Sequence, residues 1–313
     1  MRTLTVVCPV YNEEAVVEAF HSELSSVLRA QAERWRPTVL FVVDRSSDST
    51  LERLRRMAGS DPCVRVLALS NRFGQQAALL AGLDHCDSDA VVMMDSDLQH
   101  PPAVIPELLR AHEQGADVVY TVREDIPDVP WFKRRSARLF YRLLNRISET
   151  PVHEGAADFR LVSRRVVRVF QEQLHERSLF LRGLFNWVGF RSAAVRFRLA
   201  PRAAGRTKYS LRRMLDFAVD GVVSFSRVPL RLSLLAGVLV AGFDLLVALG
   251  VAGRWLLHRV DPGAPALLAL LVVFLCGVQL VFLGIVGEYL GRVLDEVKRR
   301  PRYLVDEKIN FPS

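Results

Sequence analysis

The chain has 313 residues, half of them hydrophobic, and a formal charge of +8 carried mainly by arginine. Four cysteines, Cys8, Cys63, Cys86 and Cys276, stand far apart with no C-x-x-C pair and no histidine at metal-ligand spacing. That pattern excludes a zinc module and a disulfide framework and reads as buried thiols. The basic excess suits phosphate and anionic lipid, and nucleic acid is set aside because no basic tract is interleaved with aromatics.

From residue 1 to about 125, short β-branched runs alternate with amphipathic stretches, the pattern of a doubly wound α/β domain with a mostly parallel sheet. TLTVVCPV, TVLFVVD, VRVLALS, AVVMMD and DVVYTV are the predicted strands. EEAVVEAFHSELSSVLRAQAE, DSTLERLRRMAG and GQQAALLAGLDHC, with apolar residues three and four apart, are the predicted helices between them. Residues 126–205 are richer in arginine and aromatics, and WFKRRSARLFYRLLNRI reads as a basic amphipathic helix close to a membrane. Residues 206–231 place Leu211, Leu215, Ala218, Val222 and Phe225 on one face, as an interfacial helix would.

Two apolar stretches follow, 232–257 and 266–287, each long enough to cross about 30 Å of hydrocarbon. Both are predicted transmembrane helices. Asp244 in the first receives no role. Lys208, Arg212, Arg213, Arg227 and Arg231 precede the pair, and Arg292, Lys298, Arg299, Arg300 and Arg302 follow it. Basic flanks mark the cytoplasmic side, so both ends are expected there, with the short loop HRVDPGAP outside. The expected organisation is a catalytic domain over 1–205, a juxtamembrane helix over 206–231, a membrane hairpin over 232–289 and a cytoplasmic tail over 290–313.

In an open parallel sheet, ligands bind beyond the carboxyl ends of the strands. After the first strand come Pro9, Val10, Tyr11, Asn12, Glu13 and Glu14, an aromatic platform for a base and acids at a helix start. After the fourth come Asp95, Ser96, Asp97, Leu98, Gln99, His100, Pro101 and Pro102. Two carboxylates one residue apart can share a divalent cation, and oxygen ligands suit Mg²⁺ or Mn²⁺.

P-V-Y-N-E-E, D-S-D-L-Q-H-P-P, G-A-A-D-F-R-L, the R-x-x-G-x-T-K-Y run from Arg202 to Tyr209, and G-E-Y-L-G-R near Gly287 occur in that order. Together they resemble a family 2 glycosyltransferase with a GT-A, Rossmann-like fold, of the polyprenyl-phosphate group that includes dolichol-phosphate-mannose synthases and bactoprenol glucosyltransferases. The resemblance implies nucleotide contacts from Pro9, Tyr11, Glu13 and Asp44, and metal coordination by Asp95, Asp97 and Gln99. It places Arg123 and Arg134 at the acceptor phosphate and Arg202 and Lys208 on a mobile loop near the phosphates. Asp158 falls where a general base usually stands, as base or positioning group.

The implied activity is inverting transfer of a sugar from a nucleotide-sugar, UDP-glucose favoured, to a polyprenyl phosphate at the cytoplasmic face of the inner membrane. A homo-oligomer and a flippase partner stay open. Two departures from the family pattern stand out. Where it usually reads D-D-G-S-T-D, this chain has Val43-Asp44-Arg45-Ser46-Ser47-Asp48, and Asn71-Arg72-Phe73-Gly74 inverts the usual R-N-F-G. Val43 cannot accept a hydrogen bond from a base or ribose, and Arg45 replaces a residue that tolerates positive φ. Weaker donor binding or a shifted base preference is expected, with Val43→Asp tightening the donor if Arg45 does not already occupy the space. The rival reading is a weakly active or inactive nucleotide-sugar-binding membrane scaffold that partners a flippase.

Overall fold

The computed structural model describes residues 1–123, 156–174, 176, 181–198 and 264–311, with short helical pieces between 237 and 250. Among them, β1 (Arg2–Val10), β2 (Trp35–Val43), β3 (Val64–Leu69), β4 (Ala90–Met93), β5 (Val118–Arg123), β6 (Ala156–Ser163), β7 (Ser192–Phe197) and β8 (Val305–Ile309) form one sheet. Its order is β7-β5-β6-β4-β1-β2-β3-β8. The described helices are α1 (Val17–Arg29), α2 (Thr50–Ser60), α3 (Gln75–Asp84), α4 (Ile105–Glu113), α5 (Arg164–Glu172), α6 (Leu181–Trp187) and α7 (Ala264–Val297).

The two-residue period of β1 sorts its side chains between two apolar layers. Leu4, Val6, Cys8 and Val10 join Phe20, Leu24, Leu54 and Leu108 on one face of the sheet. Val7 joins Leu79, Leu80, Val167 and Phe170 on the other. In α1 the buried residues are Val17, Phe20, Leu24 and Leu28, three and four apart. Each such side chain contributes about 1.5–3 kcal/mol by leaving water, so Leu24→Ala would loosen the packing of α1 on the sheet. The helix α3 is buried all round from Ala77 to Leu83. A Cβ at Gly82 would stand 2.2 Å from Val7 Cγ1, so only glycine lets this helix lie against β1.

All five predicted strands are present, but the sheet is mixed rather than mostly parallel. Parallel pairs join β1 to β2, β1 to β4, β2 to β3 and β5 to β7. In contrast, β6 is antiparallel to both β4 and β5, and β8 to β3. Strand β6 belongs to the segment G-A-A-D-F-R-L, which reads as a motif and so hides its extended backbone. Strand β8 comes from the expected tail. Its residues alternate between partly buried and exposed, as suits an edge strand covered on one face. The cysteines also divide: Cys8 and Cys86 are buried, whereas Cys63 and Cys276 are exposed, which corrects the expectation for these two.

Helix α7 has 34 residues, roughly 51 Å at 1.5 Å per residue, and continues ten residues past the expected end of the second span. Within it, Phe274–Val297 is long and apolar enough to cross a membrane, one such helix among the described residues. Leu280, Val281, Leu283, Val286 and Leu290 are all exposed on its surface. Asp244, Arg134, Arg202, Lys208, the 131–147 helix, the 206–231 helix and most of the 232–257 span lie outside the described residues.

Candidate active site

The order β3-β2-β1-β4 makes the gap between β1 and β4 the point where successive connections leave for opposite faces of the sheet, the place beyond the carboxyl ends where open α/β sheets bind ligands in a crevice. The antiparallel β6 delivers its amino end to the same edge. Arg160 pairs with Met93, so Asp158 lies beyond it, level with the loop that leaves β4. Val122 pairs with Ala156, which brings Arg123 to that edge as well. Pro9, Tyr11, Glu13, Asp44, Asp95, Asp97, Gln99, Arg123 and Asp158 therefore share one rim of the sheet.

Two loops on the β1 and β2 side are laced together. Asn12, at φ 53°, donates its backbone N–H to Ser46 Oγ at 3.0 Å, and its side-chain Oδ1 accepts from the Ser47 N–H at 2.8 Å. The Glu13 N–H reaches Thr50 Oγ1 at 3.0 Å, and Glu14 Oε2 accepts from the Ser49 N–H at 3.0 Å. Asp44 is buried, and its two oxygens accept from the N–H groups of Phe73 at 2.6 Å and Gly74 at 2.8 Å. Gly74 sits at φ 94°, open to glycine at little cost. Asp44 thus fixes the 70–74 loop.

The departures find physical explanations here. Val43 is 1% exposed and lies in the apolar layer with Phe20 and Phe41. A carboxylate at position 43 would enter that layer, not the crevice. Arg45 does adopt positive φ, 41°, and its guanidinium donates to Ser70 O at 2.8 Å. Arg72, from the inverted N-R-F-G, stacks on Tyr11 with Cζ 4.1 Å from the ring centroid. One face of the expected aromatic platform is covered.

On the β4 side, Ser96 Oγ donates to Pro9 O at 3.2 Å and joins the ends of β1 and β4. Asp95 Oδ1 accepts from Gln75 Nε2 at 2.5 Å, and Asp97 Oδ1 accepts from the Gln99 N–H at 3.1 Å. The Asp95 N–H donates to His100 Nδ1 at 3.1 Å. His100 is buried and stacks on Phe159 at 5.3 Å between centroids. Burial, aided by the Arg123 charge, lowers its pKa to about 4, so the ring is neutral and its Nδ1 can accept. Burial in the cleft, with the charges of Asp158 and Asp97 beside it, pushes Asp95 up to about 7.

Asp158 behaves oppositely. Burial would raise it, but Arg182 grips both oxygens, Nε to Oδ1 at 2.7 Å and Nη2 to Oδ2 at 2.8 Å, and Arg160 stands 3.7 Å away. The charge and hydrogen bonds of Arg182 prevail and hold Asp158 at about 2. Arg160 in turn lies over the Phe185 ring at 4.6 Å and donates to Ala157 O at 3.1 Å.

The described residues contain no cluster of three His, Cys, Asp or Glu side chains set to hold a metal. Asp95 and Asp97 nevertheless fit a hard divalent cation. Mg²⁺ is usually bound by one or two carboxylates and completed by substrate phosphates and water, and a cation would stabilise the Asp95 charge that burial, and then the charges of Asp158 and Asp97, disfavour.

Residues 5–170 match the model of glycosyl transferase family 2. The chain belongs to this family. It is 38% identical over 310 residues to an uncharacterized glycosyltransferase, YkcC, of Bacillus subtilis, covering 99% of this chain and 95% of that protein. It is 37% identical over 308 residues to the bactoprenol glucosyl transferase of Shigella phage SfII, covering 96% of this chain and 97% of the phage protein. Among solved structures, the family 2 chain is similar to glucosyl-3-phosphoglycerate synthase of Mycobacterium tuberculosis in complex with Mn²⁺, UDP and phosphoglyceric acid. There the TM-score is 0.48 and the identity 19%, over 71% of this chain and 76% of the other.

Several site residues of this family 2 chain carried no role in the sequence reading: His100, Gln75, Arg160, Arg182 and Arg72. Three had a signal. His100 stands inside D-S-D-L-Q-H-P-P, Arg182 interrupts the apolar run L-F-L-R-G-L, where a charge needs a partner, and Arg72 stands in the inverted N-R-F-G. Gln75 had none beyond its place after a strand.

Proposed function

We propose that this glycosyltransferase is a membrane-anchored, GT-A-type enzyme that moves a sugar, with inversion, from a nucleotide-sugar to a polyprenyl phosphate at the cytoplasmic face of the inner membrane. The observation that carries this reading is the meeting of the Tyr11 and Asp44 loops, the paired acids Asp95 and Asp97, and the cation Arg123 along one rim of the sheet. The apolar helix Phe274–Val297 supports the membrane anchor, and the relatives named bactoprenol glucosyl transferase support the lipid acceptor. UDP-glucose is the favoured donor. The catalytic domain is 1–205 joined by β8, with 206–231 at the membrane surface and 232–289 as a two-helix hairpin.

The reaction forms a bond between an acceptor phosphate oxygen and the anomeric carbon as the bond from that carbon to the donor diphosphate breaks. A phosphate monoester, with a second pKa near 6, is already largely ionised at neutral pH. It needs no strong base. Asp158, held at about 2 by Arg182, would be a poor one, and it acts as a positioning group. Arg123 steers and holds the acceptor phosphate, with Arg134 a second candidate, and Arg202 and Lys208 close on the donor phosphates. Asp95 and Asp97, with Gln99, would hold Mg²⁺ or Mn²⁺, which when bound takes up charge developing on the leaving diphosphate.

Membranes carrying the protein, incubated with undecaprenyl phosphate and a panel of labelled nucleotide-sugars, test this. One donor is expected to label a lipid product. Nucleotide binding with no transfer from any donor would make the chain a scaffold instead.

A further inference from the structure

We propose that Arg72 is a donor-binding residue, its guanidinium receiving the diphosphate of the nucleotide-sugar, and that Tyr11 is the platform that positions it. This rests on the reading of the crevice as a nucleotide-sugar site. The 70–75 loop is pinned on both sides of Arg72. The Ser70 N–H donates to Leu304 O at 2.9 Å, and Ser70 O accepts from Arg45. Phe73 and Gly74 are held by Asp44, and Gln75 by Asp95. Asn71 Oδ1 accepts the Arg72 N–H at 2.9 Å, which fixes the turn at its tip. Arg72 thus sits on a set backbone between the Asp44 side of the site and the Asp95 side.

Its side chain is placed as well. With Cζ 4.1 Å from the Tyr11 centroid, the guanidinium rests over the aromatic ring, held by attraction between cation and π cloud. Stacking uses the face of the guanidinium and leaves its N–H edge to point elsewhere. Among the described residues no carboxylate pairs with it, although Asp44, Asp95, Asp97 and Asp158 line the rim. Asp44 is occupied by loop amides and Asp158 by Arg182. A planar fork, fixed in place, exposed and without an anion, has the geometry for two phosphate oxygens.

The charge balance of the crevice points the same way. A nucleoside diphosphate would enter beside Asp95, Asp97 and Asp158, and cations must answer that repulsion. Arg123 answers it from the β5 side; Arg72 answers it from the β3 side. The inverted Asn71-Arg72 order matters because the short Asn71 caps the turn while the long Arg72 reaches Tyr11.

The test is isothermal titration of the purified full chain in detergent with UDP and with uridine, and with GDP and guanosine in parallel, in the presence of Mg²⁺. Wild type is expected to bind at least one diphosphate more tightly than its nucleoside. Arg72→Ala should weaken that diphosphate about ten- to a hundredfold, the loss of charge-assisted hydrogen bonds, and leave the nucleoside unchanged. Arg72→Lys should fall between. Tyr11→Leu should lose part of the diphosphate affinity, since the ring carries the guanidinium. Unchanged diphosphate affinity in Arg72→Ala overturns the proposal, as does an equal loss of nucleoside and diphosphate, which marks a merely structural residue. If wild type binds neither diphosphate, the donor-site reading itself fails and this proposal falls with it.

Discussion

Arg182 and Asp158 meet through two parallel hydrogen bonds in a recess where both carboxylate oxygens are satisfied. The pair joins α6 to β6, which also meet where Arg160 lies over the Phe185 ring, and it sets the ionisation of a group at the rim of the site. Removing Arg182 takes away both hydrogen bonds and leaves Asp158 only Arg160, 3.7 Å away, as a neighbouring cation. Breaking a buried pair costs about 3–5 kcal/mol, and because Arg182 keeps 23% of its side chain exposed, about 2–4 kcal/mol is the expected loss for Arg182→Ala.

Thermal unfolding of the purified chain checks this. Arg182→Ala should melt well below wild type, and Arg182→Lys should recover part of the loss, because a cation again faces Asp158. Asp158→Asn should also melt low, because it leaves both Arg160 and Arg182 without their carboxylate. An Arg182→Ala protein that melts with wild type would remove the pair from the account.

Val43 and Arg45 separate two effects that look alike in sequence. Val43→Asp places a carboxylate in the layer with Phe20 and Phe41, a burial that costs several kcal/mol after relaxation. It should lower yield and stability and should not tighten the donor. Arg45→Gly instead relieves a positive-φ side chain, worth about 1–2 kcal/mol, and forfeits the bond to Ser70 O, worth about 0.5–1.5. Its stability should change by less than about 1 kcal/mol. Chemical denaturation of the two variants distinguishes them, and a Val43→Asp protein as stable as wild type with lower donor KM would reverse this assignment.

The central strands were legible because their apolar runs are long and end at polar loops. Asp95 and Asp97 stood out because a strand end in a parallel sheet is a functional address. Strand β6 was hidden: A-A-D-F-R-L-V-S carries Asp158 and Arg160 in a recess at Phe185, and buried charges blur alternation. Strand β8 was hidden differently, since V-D-E-K-I at the end of a chain has the composition of a tail until β3 offers an edge. The partners of Asp158 and Tyr11 come from residues 24 and 61 positions away, and single-sequence patterns do not encode such pairings.

Metal dependence is expected from Asp95 and Asp97. Excess EDTA should abolish sugar transfer and added Mg²⁺ or Mn²⁺ should restore it, while Asp97→Ala should stay inactive at any metal concentration tested. The fold should be untouched, because Asp97 is partly exposed and outside the apolar layers. Full transfer in excess chelator would sink the metal assignment.

The last prediction concerns orientation in the membrane. Residues 305–309 pair with β3 in the same sheet that carries the Tyr11, Asp44 and Asp95 loops, so the carboxyl end of α7 must lie on the side of the membrane where that sheet lies. Only seven residues separate Val297 from Val305, too few to cross a bilayer of about 30 Å and also reach the sheet. If Phe274–Val297 spans, its other end, and the loop at Asp261, face the opposite side. The lysine and arginine residues at 298–302 put the sheet in the cytoplasm by the positive-inside rule, a bias independent of the strand pairing. Impermeant thiol labelling reads this out in a background with the exposed Cys63 and Cys276 changed to serine. In intact cells Asp261→Cys should react and Ser313→Cys should not, and permeabilisation should expose Ser313→Cys. Labelling of Ser313→Cys in intact cells with Asp261→Cys protected would place the sheet outside, away from cytoplasmic nucleotide-sugars, and would overturn the proposed activity along with the topology.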